Sequence, residues 1–163
     1  MKIFFKSTLL ALLFFSTSSF NAKNEPVADR ELNLCDAVKK LVPIFANEEI
    51  KKLLEAKVVS EDETQWSSRI KIDRYKEEYI YDDGNDSYFE AVLDKKINSV
   101  DALETEIDYI AASLKGCLKV ESTYIDEEKY TLYFFIVGDV RVTVASKRIY
   151  QEDRSIILRI EYD

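Results

Sequence analysis

Apolar residues recur at every third or fourth position in two stretches of this chain, which is the spacing of a helix with one buried side. In the first stretch Asn33 is a predicted N-cap, and Pro43 removes one helical hydrogen bond, so we predict a bent or two-part helix over about 34–56. In the second stretch a cap at Ser99, or at the residue before it, begins a helix that ends at Gly116. The pattern therefore predicts two helices.

Elsewhere the apolar period changes to two, which is typical of strands. The segment from Asp82 to Asp86 favours a hairpin turn, and so does the pair Gly138 and Asp139. One segment, 130–137, is apolar on both of its faces, so we predict that it lies in the middle of the sheet. The predicted strands are 66–72, 79–81, 88–93, 119–125, 130–137, 140–144 and 156–162.

The order of these elements indicates an α+β fold. A helix and three strands are followed by a helix and three or four strands, so the two halves share one plan, although no repeat of residues accompanies it. Consecutive strands joined by short turns pair antiparallel, and two amphipathic helices need a common apolar surface. We predict a mostly antiparallel sheet of about six or seven strands with two helices packed on one face.

The first residues have the three parts of a secretory signal peptide. Lys2 and Lys6 are followed by a short apolar run and then by small polar residues. An uncleaved membrane anchor is the alternative, but it needs about 20 apolar residues, roughly twice the length of this run. We expect a mature protein in a periplasm or outside the cell, not inserted into a membrane. The predicted divisions are a signal peptide at 1–22 with cleavage somewhere in 18–22, a flexible arm at 23–32 and a single domain at 33–163.

Export changes the interpretation of the two cysteines. Cys35 and Cys117 are the only cysteines of the chain, and in an oxidising compartment such a pair forms a disulfide. The alternative is a pair of free thiols with a redox role, but redox motifs place their cysteines two residues apart. A bridge would tie the start of the first helix to the end of the second, so we expect the two helices to lie side by side.

Charge limits the partners that the protein can bind. The chain has 23 basic and 31 acidic residues, a net charge of −8, and removal of the leader would take away Lys2 and Lys6 and no acid. An acidic surface repels the phosphate backbone of nucleic acids and anionic lipid headgroups. We therefore expect no nucleic-acid binding, and among protein, peptide or small-molecule partners a cationic one is favoured over an anionic one.

The composition also removes most catalytic chemistry. The sequence contains no histidine, which excludes nucleophilic catalysis and metal sites that depend on an imidazole. Its three glycines, Gly84, Gly116 and Gly138, are explained by turns and a helix end, so no phosphate-binding or dinucleotide motif can be built from them. No cofactor and no catalytic residue is predicted, and carboxylates are the remaining candidates for catalysis.

One acidic loop is a candidate for a metal ion. Asp82, Asp83 and Asp86 offer the hard oxygen ligands that Ca²⁺ prefers, although their spacing does not match an EF-hand loop. The alternative is a solvated turn. The segment from Asn85 to Ser87 also matches the acceptor motif for N-glycosylation.

Ten tyrosines are the most suggestive feature for binding. Tyr79, Tyr81, Tyr88 and Tyr133 lie in predicted strands, and tyrosine is enriched at binding surfaces because it offers a large contact area and a hydroxyl group. The alternative is cross-strand packing, for which tyrosine is also well suited. If these residues bind a ligand, we expect the binding surface on the side of the sheet that the helices leave uncovered.

Two functional hypotheses follow from the sequence. The first is an exported, non-catalytic binding domain, a class that includes inhibitor and immunity proteins. The second is a hydrolase that uses carboxylates alone in a cleft between the sheet and the helices. Two buried carboxylates that face each other in a deep pocket would favour the hydrolase.

Overall fold

The computed structural model describes residues 31–58, 64–84, 86–147 and 154–163. The predicted signal peptide and Asn85 lie outside these described residues. The elements in chain order are α1 (Leu34–Ala46), a 3₁₀ helix (Ile50–Leu53), β1 (Leu54–Lys57), β2 (Gln65–Ser68), β3 (Tyr75–Asp82), β4 (Ser87–Leu93), α2 (Val100–Leu118), β5 (Ser122–Asp126), β6 (Tyr130–Val137), β7 (Val140–Lys147) and β8 (Ser155–Tyr162).

The strands form one open antiparallel sheet in the order β1-β2-β3-β4-β8-β7-β6-β5. Each half of the chain contributes a helix followed by four strands that pair in sequence, and the two halves meet where β4 pairs with β8. This confirms the predicted α+β fold, with eight strands instead of six or seven. The additional strand is β1, which lies at one edge of the sheet.

Both helices begin at the caps that the sequence predicts. The side chain of Asn33 accepts a hydrogen bond of 3.0 Å from the N–H of Asp36, and the hydroxyl of Ser99 accepts one of 3.1 Å from the N–H of Ala102. Pro43 lies inside α1, which ends three residues later at Ala46. Neither α1 nor α2, the α helices of the described residues, is long and apolar enough to cross a bilayer.

The helices cover one face of the sheet, and the core lies between them. Alternate residues of the central strands point towards the helices and are almost fully buried, whereas their neighbours along each strand are half-buried. This is the period of two that predicted the strands. The buried sheet residues on this covered face are Ile80, Phe89, Ala91, Leu93, Phe135, Val140, Val142, Val144, Ile156, Leu158 and Ile160.

A disulfide joins the two helices. Cys35 lies in the first turn of α1 and Cys117 in the last turn of α2, and their Cα atoms are 5.8 Å apart. This confirms the predicted pairing. Because α1 belongs to the first half of the chain and α2 to the second, the bridge links the same two halves that the β4–β8 pairing joins.

Only the last two residues of the predicted flexible arm are among those described. Leu32 donates its N–H to the carbonyl of Lys71 at 2.8 Å and accepts a hydrogen bond of 2.8 Å from the N–H of Asp73. Its side chain packs against the core. The chain is therefore held against the connection between β2 and β3 one residue before the cap of α1.

A buried carboxylate ties α2 to the end of the sheet. Glu106 is 9% exposed and accepts hydrogen bonds from Lys95 and, at 2.8 Å, from Arg74. Burial alone would raise the pKa of Glu106, but the hydrogen bonds from Lys95 and Arg74 outweigh it and hold the pKa below its usual value of 4.5. The ionised carboxylate therefore stabilises the folded protein.

We expect Glu106→Gln to lower the free energy of unfolding at pH 7 by about 1–2 kcal/mol, because two charge-assisted hydrogen bonds lose their anion while half-exposed Arg74 and Lys95 regain water. The folded pKa lies below the unfolded one, so this contribution is present above the unfolded pKa and is lost as the pH falls through the folded value. Urea denaturation at pH 7 and at about pH 3 measures both effects. Glu128→Gln, at an exposed residue, is the control, and an equal loss in both variants would contradict the expectation.

Replacement of tyrosine by phenylalanine is expected to change the free energy of unfolding in opposite directions at Tyr75 and Tyr133. The hydroxyl of Tyr75 is buried without a hydrogen-bond partner, and burial raises the pKa of Tyr75. The hydroxyl of Tyr133 donates to Asp108 of α2 at 2.7 Å. We expect Tyr75→Phe to raise the free energy of unfolding by about 0.5–1 kcal/mol and Tyr133→Phe to lower it by a similar amount. Denaturant midpoints of both variants test this, and the same sign in both would contradict it.

Candidate functional site

The face of the sheet opposite the helices, which we call the open face, is the candidate site. Its residues alternate with the buried ones along each strand and are mostly half-buried. The strand registers place them in four rows across the sheet. The rows are Gln65, Tyr81, Tyr88, Glu161, Arg141 and Ile136; Ser67, Tyr79, Glu90, Arg159, Thr143, Phe134 and Thr123; Lys76, Val92, Ile157, Ala145, Leu132 and Ile125; and Tyr130, Lys147 and Ser155.

Three of the four tyrosines that the sequence singles out meet on the open face. Tyr81 and Tyr88 are cross-strand neighbours whose rings stack with centroids 4.5 Å apart, and Tyr79 meets Tyr81 edge to face at 6.4 Å. The amide of Gln65 donates a hydrogen bond of 3.0 Å to the hydroxyl of Tyr81. We call Tyr79, Tyr81 and Tyr88 the tyrosine cluster. It presents half-exposed aromatic surface on rigid strands.

An arginine lies beside the tyrosine cluster and contacts one of its rings. The guanidinium of Arg159 on β8 lies 4.2 Å from the ring centroid of Tyr88, a cation–π distance, and donates two hydrogen bonds, of 3.2 and 2.7 Å, to one carboxylate oxygen of Glu90. Burial would lower the pKa of Arg159, but the hydrogen bonds to Glu90 outweigh it and raise the pKa. Arg159 is therefore held in one position with its charge paired.

A second arginine repeats this arrangement further along the face. Arg141 on β7 lies between the carboxylates of Glu161, at 3.8 Å, and Asp163, with which it forms a short ion pair. Its guanidinium also lies 5.8 Å from the ring centroid of Phe134. The charges at the centre of the open face are thus paired with one another, so its remaining contact surface is mainly aromatic and aliphatic.

The hydroxyl of Tyr81 resists ionisation, because its pKa is raised. Burial raises the pKa of Tyr81, and the nearby carboxylate of Glu90 adds to this effect. A neutral phenol both donates and accepts hydrogen bonds, whereas a phenolate only accepts them. The cluster therefore offers a partner aromatic area together with hydroxyl groups that can donate.

Tyr133 does not join the tyrosine cluster. It alternates with the open-face residues of β6 and lies on the covered face, where it packs 4.9 Å from Tyr124 and bonds to Asp108 of α2. Burial, with a contribution from that hydrogen bond, raises the pKa of Tyr133 to about 12. Its place is structural, because it attaches α2 to the sheet, and we leave it out of the candidate site.

In the acidic hairpin between β3 and β4, two carboxylates accept hydrogen bonds from other residues of the same hairpin. The carboxylate of Asp82 accepts hydrogen bonds from the N–H of Gly84 at 3.1 Å and the hydroxyl of Ser87 at 3.0 Å. The carboxylate of Asp83 accepts one of 2.8 Å from the N–H of Asp86. Among the described side chains, no group of three potential ligands is arranged to hold a metal ion. A calcium site at Asp82, Asp83 and Asp86 stays a prediction from the sequence.

A cavity of about 700 Å³ lies beside this hairpin, between it and the end of α1. Asp82 and Asp83 line one side, and Phe45 and Ile50 line the other. The two acids that are buried among the described residues, Glu78 and Glu106, do not line it. This cavity therefore lacks the pair of buried, facing carboxylates that would have favoured a hydrolase.

Sequence reasoning missed the arginines of the open face. Arg159 and Arg141 look like ordinary exposed positions on alternating strands, and nothing in the pattern shows that each lies beside an aromatic ring. The alternation of side chains between the two faces of the sheet along β8 was the signal that could have revealed Arg159. Because Leu158 and Ile160 point to the core, Arg159 must point to the same face as Tyr88 once β8 is known to pair with β4. That pairing joins residues about 70 positions apart, so the sequence pattern does not reveal it.

Comparisons with models of protein families, with curated proteins and with solved structures found no match to this chain.

Proposed function

We propose that this protein is an exported, non-catalytic binding protein that holds a protein partner on the open face of its sheet, as an inhibitor or immunity protein does. The observation that carries the proposal is the tyrosine cluster with Arg159. Four side chains known as frequent anchors of protein interfaces lie together, half-exposed, on the side of the sheet that the helices of the described residues leave uncovered.

The chemistry of the open face supports a protein partner. Tyrosine and arginine provide the anchors of many interfaces, and aliphatic residues around them exclude water. Here Val92, Ile157 and Leu132 form such a surrounding row, and Glu90 fixes Arg159 before any partner arrives. Side chains that are already fixed lose little conformational entropy on binding.

Export supports the same proposal. The predicted leader would carry the chain to an oxidising compartment, and the Cys35–Cys117 disulfide is compatible with that destination. A sheet covered by two helices that a disulfide joins is expected to change little on binding, which is typical of pre-organised inhibitors.

Affinity capture from the envelope or culture medium tests the proposal. The oxidised mature protein serves as bait in parallel with two variants, Tyr88→Ala on the open face and Tyr109→Ala on the helical side, where Tyr109 is 64% exposed. We expect a protein that wild type and Tyr109→Ala both retain, and whose affinity for Tyr88→Ala falls about thirtyfold, the effect of losing an anchor worth about 2 kcal/mol.

A partner that binds all three baits equally would place the contact elsewhere and contradict the proposal. The folded state of each bait is checked beforehand by its denaturation midpoint, because Tyr88 also stacks on Tyr81. Repeated failure to recover any specific partner counts against the proposal as well.

The hydrolase is the second candidate, because the cavity beside Asp82 and Asp83 has room for a substrate, even though it holds no pair of buried, facing carboxylates. A hydrolase of this kind would act on a substrate seated between the acidic hairpin and α1. Its activity would disappear in Asp82→Asn and Asp83→Asn and would be unaffected by Tyr88→Ala. The two proposals thus predict opposite sensitivities for the same set of variants.

A further inference from the structure

Six acidic residues of the described part of the chain lie together at one end of the sheet. The registers bring together the β3–β4 hairpin, the turn between β6 and β7, and the end of β8, and the N–H of Asp163 donates to the carbonyl of Asp139 at 2.8 Å. We call this region the acidic end. Its acids are Asp82, Asp83, Asp86, Asp139, Glu161 and Asp163, among which Arg141 is the basic residue of the strands.

The opposite end of the sheet has a nearly even balance of charge. There the strands β3, β6, β7 and β8 begin or end beside basic residues, and acids are about as numerous. The basic residues are Lys71, Arg74, Lys76, Lys95, Lys96, Lys129, Lys147 and Arg154, and the acids are Asp73, Glu77, Glu78, Asp94, Asp126, Glu127 and Glu128. The described sheet is therefore polarised along its strands, in addition to the net charge of the whole chain.

The acidic end borders the tyrosine cluster. The row of the open face that contains Tyr81, Tyr88 and Glu161 is the row nearest to that end, because Asp82 and Ser87 are the next pair of the β3–β4 hairpin. A partner that contacts the cluster therefore lies beside Glu161, the cross-strand neighbour of Tyr88, and near the end of the strands that carries the other acids, while Asp82 lines the cavity beside α1. Opposite charges at the rim of an interface steer and orient the partner.

We infer that the partner of the open face is a protein segment rich in lysine or arginine, which lies over the tyrosine cluster with its positive charges directed to the acidic end. This inference rests on the proposed function and adds the chemistry and the orientation of the partner to it. Charge complementarity carries it: basic side chains gain attraction from the acidic end, and their alkyl stems can pack on the tyrosine rings.

The arrangement of Arg159 illustrates such a contact within the protein itself. Its guanidinium packs on Tyr88 while a carboxylate accepts its hydrogen bonds. A partner's arginine placed over the stacked rings of Tyr81 and Tyr88 would find a similar combination, because Glu161 of β8 is the cross-strand neighbour of Tyr88. Negatively charged segments would be repelled from the same surface.

A peptide titration tests the inference without knowledge of the natural partner. The probe is a hexa-arginine peptide, with hexaglutamate as its opposite-charge control, added to the isotope-labelled, oxidised mature protein and followed by amide chemical shifts. We expect hexa-arginine to shift the amides of Tyr81, Tyr88 and Glu161 and of the acidic end, and hexaglutamate to leave them unchanged.

Two variants of equal net charge separate a local site from general attraction. Asp83→Asn, Asp86→Asn and Asp139→Asn together neutralise exposed acids of the acidic end, and Asp73→Asn, Asp94→Asn and Glu128→Gln neutralise exposed acids of the opposite end. We expect the first triple variant to weaken hexa-arginine binding at least about fivefold and the second less than about twofold.

Equal weakening in both triple variants, or shifts spread over the whole surface, would overturn the inference. Its failure is distinct from failure of the proposed function. A captured partner that depends on Tyr88 but not on the acidic end would leave the proposed function in place and remove the inference. If a captured partner no longer bound the first triple variant but still bound Tyr88→Ala, its basic segment would lie away from the tyrosine cluster. That result would overturn both the inference and the proposed function.

Discussion

Replacement of both cysteines, Cys35→Ser with Cys117→Ser, is expected to lower the free energy of unfolding by about 4 kcal/mol. The bridge closes a loop of 82 residues, and a loop of that length removes much of the conformational freedom of the unfolded chain. A domain of this size has a total stability of about 5–15 kcal/mol, so the variant should fold but with a much lower denaturation midpoint.

The bridge also links the two halves of the fold. The two halves of the sheet meet at a single strand pairing, β4 with β8, and on the covered face α1 of the first half packs on α2, β8 and β7 of the second. Without the bridge, the start of α1 is held by its cap and by the packing of its buried residues Ala37, Val38 and Leu41.

Denaturant titration of wild type with and without reductant, beside the double variant, measures the effect. The reduced wild type and the double variant should give the same midpoint, because both lack the bridge. A difference of less than about 1 kcal/mol between oxidised and reduced wild type would contradict the chain-entropy argument. The double variant, and not either single one, is the appropriate comparison, since a single substitution leaves a reactive thiol.

The sequence predicts those parts of the fold that local chemistry determines. Asn33 and Ser99 cap helices because a short polar side chain satisfies a free N–H group, and Gly138 takes a positive φ of 63° in the two-residue turn between β6 and β7. These features need only a few neighbouring residues. They recur wherever the same residue types are found in the same order.

The strand β1 was missed because its sequence does not resemble a strand. The segment Leu54–Lys57 contains residues that favour helices, and the sequence extends the first helix through it to about residue 56. In the structure this segment pairs with β2, with Leu54 opposite Ser68. Pairing with a distant strand overrides the local preference, which a single sequence does not show.

The prediction for 130–137 was wrong in its position, and the reason bears on function. This segment forms β6, which is second from the edge, while β4 and β8 occupy the middle of the sheet. Its two apolar faces are the covered face, with Phe135, and the open face, with Phe134 and 39% exposed Ile136. Exposed apolar surface of this kind is typical of interaction sites.

Three of the four tyrosines that the sequence singles out form the tyrosine cluster, and the fourth, Tyr133, lies elsewhere. Alternation along the strands places Tyr79 and Tyr81 on one face, and the hairpin turn brings Tyr88 opposite Tyr81, so three of the four residues follow from local rules. The face to which Tyr133 points depends on which side of β6 the helices cover, and that depends on the whole fold. Arg159 required knowledge of the β4–β8 pairing.

Phe89→Ala is expected to cost about 3–5 kcal/mol of folding stability, the range for removal of a fully buried aromatic side chain. Phe89 is 0% exposed and lies in β4 between Ile80 of β3 and Ile160 of β8, so its ring fills the covered side of the sheet where the two halves of the chain join. The cavity left behind is bounded by strands that are paired on both sides and have little freedom to collapse.

Phe134→Ala is the matched control, because it removes the same side chain from the half-buried open face and should cost about 1 kcal/mol. Equal losses in the two variants would contradict this account of the core. The loss at Phe89 arises in the folded core, whereas the disulfide restricts the unfolded chain, so the two effects should add. Their sum is about 8 kcal/mol, comparable to the total stability of many domains, so we expect Phe89→Ala to be folded when oxidised and largely unfolded when reduced.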